Sequence, residues 1–145
     1  MGWKFYDLTA LPNQYDIVWC LYPQREESLA PGQIARPCLV LDVQADMKNS
    51  RAGLIVAYGT GQLDEAIHGT DLIIDDREEV RALGLHKPTR FALSLQSRMR
   101  LPWCVEYFVP QSYVVAARII SGALAPEQIE RLVACLDKRG LRPYK

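Results

Sequence analysis

Three apolar runs between Tyr15 and Gly61 decide the fold of this chain. They read Tyr15-Asp-Ile-Val-Trp-Cys-Leu-Tyr22, Cys38-Leu-Val-Leu-Asp-Val43 and Gly53-Leu-Ile-Val-Ala-Tyr-Gly-Thr-Gly61. Short runs rich in Val, Ile and Leu are typical of buried β-strands, although periodicity alone does not exclude short buried helices. Arg36-Pro37 opens the second run and Gly59-Thr60-Gly61 closes the third. Small β-barrels usually carry their working groups at such strand ends.

Length and composition indicate one globular domain. The 145 residues suffice for one core and are too few for two ordinary domains, so we predict a single domain over 1–145. Its barrel core should span about 15–110, and its C-terminal helical region about 111–145. The 17 basic and 17 acidic side chains cancel, so no general attraction to nucleic acid is expected, while local basic patches remain open.

The cysteines and hydropathy exclude several classes of protein. No CxxC spacing occurs and the only histidines are His68 and His86, so we predict buried thiols in place of a zinc site or disulfides at Cys20, Cys38, Cys104 and Cys135. No run approaches the roughly 20 apolar residues of a membrane span, and the N-terminus lacks a signal-peptide pattern. A soluble, cytoplasmic protein is therefore expected.

Several connecting segments allow two interpretations. Residues 1–14 fit either a short helix or an extended arm that packs its aromatic side chains on the core. The polar segment 23–35 is either a functional loop or a solvated hairpin loop. Residues 44–52 form a turn between two strands, and 76–83 a short helix or turn that Gly84 ends.

Further strands are predicted in the second half of the chain. Residues 70–75 and Cys104–Val109 are strand candidates. Thr89–Gln96 alternates, with Phe91, Leu93 and Leu95 on one face, which is the pattern of a half-buried strand, and Arg98 and Arg100 extend its polar face.

The clearest helix lies near the C-terminus. Pro126 suits its first turn, Gly140 suits a left-handed cap, and one apolar stripe is predicted at Ile129, Leu132, Val133 and Leu136. The whole pattern predicts a mainly β fold with helices (α+β). Five to six short strands should form a small, partly open β-barrel or strongly bent sheet, capped by this amphipathic helix.

Most common catalytic motifs do not occur in this sequence. No serine lies in a nucleophile elbow, and Gly59-Thr60-Gly61 lacks the Lys-Ser/Thr tail of a phosphate loop. Adjacent carboxylates such as Asp75-Asp76 lie in a charged turn and indicate a solvated surface. What remains is a polar set at strand ends: Gln33, Arg36, Thr60, Gln96 and Arg98. Arg36 alone is equally typical of a surface salt bridge.

The order of these motifs resembles one family. Asp16-Ile17-Val18-Trp19, followed by Gln33-x-x-Arg36-Pro37-x-Leu39-Val40-Leu41, resembles the opening of MazF/PemK-type toxins of bacterial toxin–antitoxin modules, where G-D-I-V-W precedes R-P-x-L-V-L. Gly53–Thr60 is similar to the family strand that ends in Thr, and Gln96-Ser97-Arg98 stands where D-Q-x-R is common. Ser121–Glu127 and the helix that follows resemble the closing segment, so the resemblance covers about residues 15–138.

The resemblance implies an SH3-like barrel of the CcdB/MazF type that usually forms a homodimer and is paired with a cognate antitoxin protein. Its members are metal-independent endoribonucleases that need no cofactor. In them the 2′-hydroxyl of single-stranded RNA attacks the adjacent phosphodiester and leaves a 2′,3′-cyclic phosphate. The family Arg and Thr correspond to Arg36 and Thr60 as catalytic residues, and Gln33, Gln96 and Arg98 are implied to contact RNA.

Two positions depart from the family pattern. Tyr15 replaces the usual Gly, which concerns the turn before the first strand, and Leu95 replaces the Asp of D-Q-x-R. Two alternative functions therefore stay open. One is a non-catalytic SH3-like module that binds a peptide or another subunit, and the other is a toxin of the same fold that inhibits a DNA-processing enzyme.

Overall fold

A curled antiparallel sheet with a C-terminal helix forms the molecule in a computed structural model that describes residues 2–23, 30–63, 69–111 and 118–145. Within these ranges there are seven strands: β1 Asp16–Cys20, β2 Arg36–Asp46, β3 Arg51–Thr60, β4 Leu72–Ile74, β5 Thr89–Phe91, β6 Arg98–Pro102 and β7 Ile120–Ala123. The helices are α1 Arg77–Ala82 and α2 Pro126–Lys138. Part of the predicted 23–35 loop, residues 24–29, and His68 lie outside the described residues.

The predicted α+β class and the bent sheet are confirmed. The strand order is β4-β5-β3-β2-β1-β7, and β6 pairs with β3 next to β5. The three apolar runs are the central strands, since β1 pairs with β2 and β2 pairs with β3. The register of β2 against β3 shifts between Val40 and Asp42, which marks a β-bulge. A bulge bends a strand and increases its twist, so it favours the curl of this sheet.

Two hydrophobic cores cover the two faces of the sheet. The helix-side core joins the sheet to α2 and includes Ile17, Leu39, Ala57, Phe91, Leu132 and Leu136. The arm-side core includes Val18, Cys20, Cys38, Val40, Leu54, Trp103 and Phe108. The N-terminal arm packs on this second core, because Phe5 forms a β-bridge with Cys104 and the Tyr6 ring lies 4.8 Å from the Trp103 ring. The arm is therefore largely extended, with a short 3-10 helix at Leu8–Ala10.

The strand predicted over Thr89–Gln96 is wrong beyond Phe91. The chain leaves the ladder there because the Leu93 amide donates a hydrogen bond to Asp71 Oδ1 at 3.0 Å. Ser94 then caps a 3-10 helix over Leu95–Ser97. Leu95 is 58% exposed, so it does not continue the buried face of Phe91 and Leu93.

The strand predicted over Cys104–Val109 is also wrong. Only isolated β-bridges occur, from Cys104 to Phe5 and from Phe108 to Cys20, with a turn between them. The Tyr107 and Phe108 amides donate to the Cys104 carbonyl, which closes the turn. The run is apolar because its side chains are core residues, not because it is a strand.

Helix α2 begins and ends where the sequence predicts, with Pro126 at its first turn and Gly140 at φ +72° just after it. Its buried residues are Gln128, Leu132, Cys135 and Leu136, so only Leu132 and Leu136 of the predicted stripe are fully buried, and Ile129 is partly buried. Val133 is 39% exposed, whereas Cys135 is buried beside Leu132 and Leu136. The four cysteines are all free and buried, as predicted.

Tyr15 adopts a backbone conformation that is unusual for a residue with a side chain. Its φ is +73°, in the left-handed region that favours glycine. Its amide donates to the Val40 carbonyl at 2.7 Å, and its carbonyl accepts from the Leu124 amide at 3.0 Å. Tyr15 therefore lies in the turn before β1.

A buried ion network ties α2 to the far edge of the sheet. The carboxylate of Asp71, just before β4, forms two ion pairs. Its Oδ2 lies 2.7 Å from Arg90 Nη1 of β5, and its Oδ1 lies 2.7 Å from Arg139 Nη2, just after α2. The Asp71 side chain is only 5% exposed. Burial by itself raises the pKa of Asp71, but the hydrogen bonds from the Leu93 amide and the two guanidinium groups outweigh it and lower that pKa below the ordinary 3.8. The network therefore stabilises the ionised carboxylate.

Gly84 allows α1 to pack against β7, and we expect Gly84→Ala to be strongly destabilising. Its φ is +70°, and a Cβ there would lie 2.6 Å from the Ser121 Cβ. Backbone strain and overlap together should lower the free energy of unfolding by about 3 kcal/mol, measured by urea denaturation. Gly140→Ala is the matched control, because Gly140 has φ +72° with no atom near the added Cβ. This variant should lose about 1 kcal/mol of unfolding free energy, because it introduces backbone strain without overlap. Equal losses in the two variants would contradict the packing argument.

Candidate functional site

An open pocket of about 190 Å³ lies at the end of the sheet where β2 begins and β3 ends. Its wall combines the starts and ends of strands with the loop that follows α1. The side of the pocket formed by polar residues comprises Arg36, Thr60, His86, Lys87 and Thr89. A pocket of this size accommodates one phosphate-sized group, so the residues that line it can contact the same bound group.

Strand register brings Arg36 and Thr60 together. Cys38 of β2 pairs with Tyr58 of β3, and each of the two polar residues lies two positions further toward the same end of the sheet. Side chains two apart on a strand share a face, so both extend from the face of the arm-side core. Thr60 Oγ1 accepts a hydrogen bond from the Gln62 amide at 3.2 Å, which leaves the hydroxyl hydrogen to donate to a ligand.

Lys87 lies directly beside the end of β3. Gly61 follows Thr60, and a Cβ on Gly61 would be 2.8 Å from Lys87 Cε and 2.9 Å from its Nζ. The end of the lysine side chain therefore lies against the backbone of Gly61. Its ammonium group thus lies at the same end of the sheet as Arg36.

His86 reaches the pocket from the other face. Its ring lies 6.2 Å from the ring of Trp19, which is fully buried and donates from Nε1 to Ser121 Oγ at 2.9 Å. Trp19 lies two residues after Ile17 in β1, so its side chain is on the same, helix-side face of the sheet. Partial burial and then the nearby Lys87 charge lower the pKa of His86 from its ordinary 6.5. The imidazole is therefore neutral at pH 7.

The described residues that line the pocket carry net positive charge. Neither Arg36 nor Lys87 forms an ion pair with any residue that the structure describes, and no Asp or Glu is among the described residues that line the pocket. Two uncompensated cations with a hydroxyl donor make a site suited to an anion such as phosphate.

The other residues implied to contact RNA lie outside this pocket. Gln33 is exposed and directly precedes Ile34, the first residue along the chain that lines the pocket. Gln96 is exposed in the 3-10 helix. Arg98 lies on the opposite face from Arg36, because it pairs with Ala57 of the helix-side core. There it donates to Tyr144 Oη and to the Leu93 carbonyl, both at 3.3 Å, and its guanidinium stacks on the Tyr144 ring.

His86 and Lys87 were not identified from the sequence. One signal is present in retrospect, because both cations of the pocket directly precede a proline, in Arg36-Pro37 and Lys87-Pro88. Proline holds the residue before it in an extended conformation, which fixes the direction of each side chain at the start of a strand.

No protein-family model matches this chain, and a search of curated proteins returns no significant match. In the part of the chain that the structure describes, no helix has the length and apolar character needed to cross a membrane, and no three His, Cys, Asp or Glu side chains are grouped as metal ligands.

Proposed function

We propose that this protein is a MazF/PemK-type toxin with an SH3-like barrel that cleaves single-stranded RNA without a metal ion. The observation that carries the proposal is the meeting of Arg36 and Thr60, from neighbouring strands, in one positively charged pocket. A cognate antitoxin and a homodimer belong to the same proposal, on the strength of the family resemblance.

The chemistry of these two side chains suits a phosphodiester. The guanidinium of Arg36 offers forked donors to two non-bridging oxygens and opposes the charge that grows on them in the transition state. Thr60 donates its hydroxyl hydrogen to one of these oxygens and orients it. The 2′-hydroxyl of the preceding nucleotide then attacks phosphorus and displaces the 5′-oxygen.

An aromatic pair near the pocket supports a single-stranded substrate. Tyr58 lies on the same face of β3 as Thr60, and its ring is 5.4 Å from that of Tyr22. Both side chains are only partly buried. Unpaired bases stack on such rings, and duplex bases are not available for stacking.

The test is cleavage by the purified wild-type protein in the presence of a chelator. We expect a single-stranded RNA oligonucleotide to be cut into products with a 2′,3′-cyclic phosphate and a 5′-hydroxyl, while the same sequence in a duplex is spared. A matched oligonucleotide with a deoxynucleotide before the cut bond should resist, since it lacks the nucleophile. Intact RNA at micromolar protein, or equal cutting of the deoxy substrate, would contradict the proposal.

A non-catalytic binding module is the second candidate, and Leu95 favours it. This position, which carries an acid in the family pattern, is an apolar side chain that is 58% exposed. If that candidate is correct, RNA stays intact at every protein concentration and overexpression does not arrest growth.

A further inference from the structure

The pocket contains cations and hydroxyls, yet the proposed reaction needs a group that accepts a proton. The 2′-hydroxyl must lose its proton as it attacks phosphorus. A guanidinium such as that of Arg36 does not act as a base in proteins, and a protonated lysine has no lone pair. Thr60 and Thr89 are neutral hydroxyls. The family acid is replaced by Leu95, which lies outside the pocket.

His86 is the one side chain among the described pocket residues that can take up this proton. It lines the pocket with Arg36, Thr60 and Lys87. Because Arg36 and Thr60 extend from the arm-side face and His86 packs against Trp19 of the helix-side face, a phosphodiester at the sheet end is flanked from both sides. An in-line displacement needs the growing charge on the non-bridging oxygens neutralised and the proton of the attacking oxygen accepted, and these residues divide the two roles.

We propose that His86 is the general base of this site and that Lys87 is a second cation that contacts the scissile phosphate. This inference rests on the proposed function. It assigns to the loop between α1 and β5 a catalytic role that the family resemblance gives to no residue there.

The proton and bond changes balance without any further reactant. An unprotonated ring nitrogen of His86 takes the proton of the 2′-hydroxyl while the 2′-oxygen forms its bond to phosphorus. The bond from phosphorus to the 5′-oxygen breaks, and the leaving oxygen takes a proton from water. His86 then returns its proton to solvent, and the products are the cyclic phosphate and a 5′-hydroxyl.

The charges of the described residues around His86 favour the unprotonated form. β2 contributes the positive Arg36 and the loop contributes the positive Lys87, while β1, β3 and β5 contribute the uncharged Trp19, Thr60 and Thr89. The pKa of His86 is lowered by partial burial and by Lys87, in that order. A base with a lowered pKa is ready at neutral pH and becomes protonated only in acid.

The pH profile of kcat/KM on a single-stranded RNA oligonucleotide tests the assignment. Wild-type activity should rise with unit slope from acid pH and level off above the lowered pKa of His86. His86→Ala and His86→Gln should each lower kcat by about 10²-fold and remove this rise. Added imidazole should restore part of the activity of His86→Ala, because the small base enters the space that the side chain leaves.

Lys87→Ala provides an independent readout, with Lys48→Ala in the β2–β3 turn as its matched control. Removing the positive neighbour should move the acid limb to higher pH and raise KM about tenfold, the loss of one charge-assisted hydrogen bond. Lys48 is exposed at the other end of the sheet, so its variant should match wild type.

The outcomes separate the two proposals. If wild type and Arg36→Ala behave as the proposed function requires but His86→Ala keeps the wild-type rate and acid limb, the base assignment is overturned while the function stands. Wild-type protein that cuts no RNA overturns both. Variants of His86 that lose activity with unchanged urea midpoints, and that respond to imidazole, support the assignment.

Discussion

Arg36→Ala should lower kcat/KM for RNA cleavage by about 10³-fold without changing the urea midpoint. The expected loss is that of a donor aimed at charge that develops in the transition state. No other described residue of the pocket offers forked donors to a phosphate, because Lys87 has a point charge and Thr60 a single hydroxyl. The side chain is only partly buried, so its removal costs the fold little. Single-turnover cleavage under chelator measures the effect.

The matched control for this change is Arg100→Ala. Arg100 is an exposed arginine in a groove at the opposite end of the sheet, where Trp3 and Arg51 also lie. The Arg100→Ala substitution removes the same charge from the molecule. It should leave the cleavage rate within about twofold of wild type, because exposed charges at that distance are largely screened. Arg36→Lys keeps the charge but loses the fork, so its rate should lie between the two. Cleavage by Arg36→Ala at the wild-type rate would refute the assignment of this residue.

Asp71→Ala should be the most destabilising single change at an ionic residue that the structure describes. It leaves the guanidinium groups of Arg90 and Arg139 without their carboxylate, and the side chain of Arg90 is only 9% exposed. Removing one partner of a buried ion pair typically costs about 4 kcal/mol, because the other charge stays desolvated. Urea denaturation of the purified variant at pH 7 measures the loss. Asp46→Ala is the control, since Asp46 meets Arg51 at 4.0 Å with 44% of its side chain exposed; it should lose less than about 1 kcal/mol.

The pKa of Asp71 adds a pH signature to this prediction. A carboxyl with a pKa below 3.8 in the folded protein stabilises the fold above that pH, and the contribution is lost as pH falls through the folded pKa. Wild type should therefore lose stability in this acid range. Asp71→Asn, which cannot ionise, should lack that part of the loss, and equal acid sensitivity in both proteins would contradict the network.

The central strands were predictable from sequence because burial on both faces leaves a direct trace in composition. β1, β2 and β3 lie between two cores, so their central stretches, 17–20, 38–41 and 52–58, are apolar without interruption. The end of β5 was not predictable. Leu93 and Leu95 continue the alternation, yet the Leu93 amide donates to a carboxylate 22 residues earlier in the chain. The local alternation of apolar and polar residues does not reveal a hydrogen bond to a residue this far away in the chain.

The same limit applies to the candidate site. Arg36 and Thr60 could be paired from sequence because they end two runs joined by a turn, so one register relates them. His86 and Lys87 reach the same place only through the pairing of β3 with β5, in which Gly59 opposes Phe91 across 32 residues. Sequence spacing does not determine such a pairing. The sequence His86-Lys87-Pro88 therefore does not by itself indicate that these residues lie beside Arg36 and Thr60.

The ion network also has a consequence for the order in which the molecule assembles. Asp71 is joined to Arg90 over 19 residues and to Arg139 over 68 residues. Closing the longer of these loops costs more chain entropy, so the second contact is expected after the sheet has formed. During synthesis, Asp71 leaves the ribosome well before its second cation exists. The β4–β5 edge of the sheet therefore reaches its full stability only once α2 and Arg139 have been made and have docked.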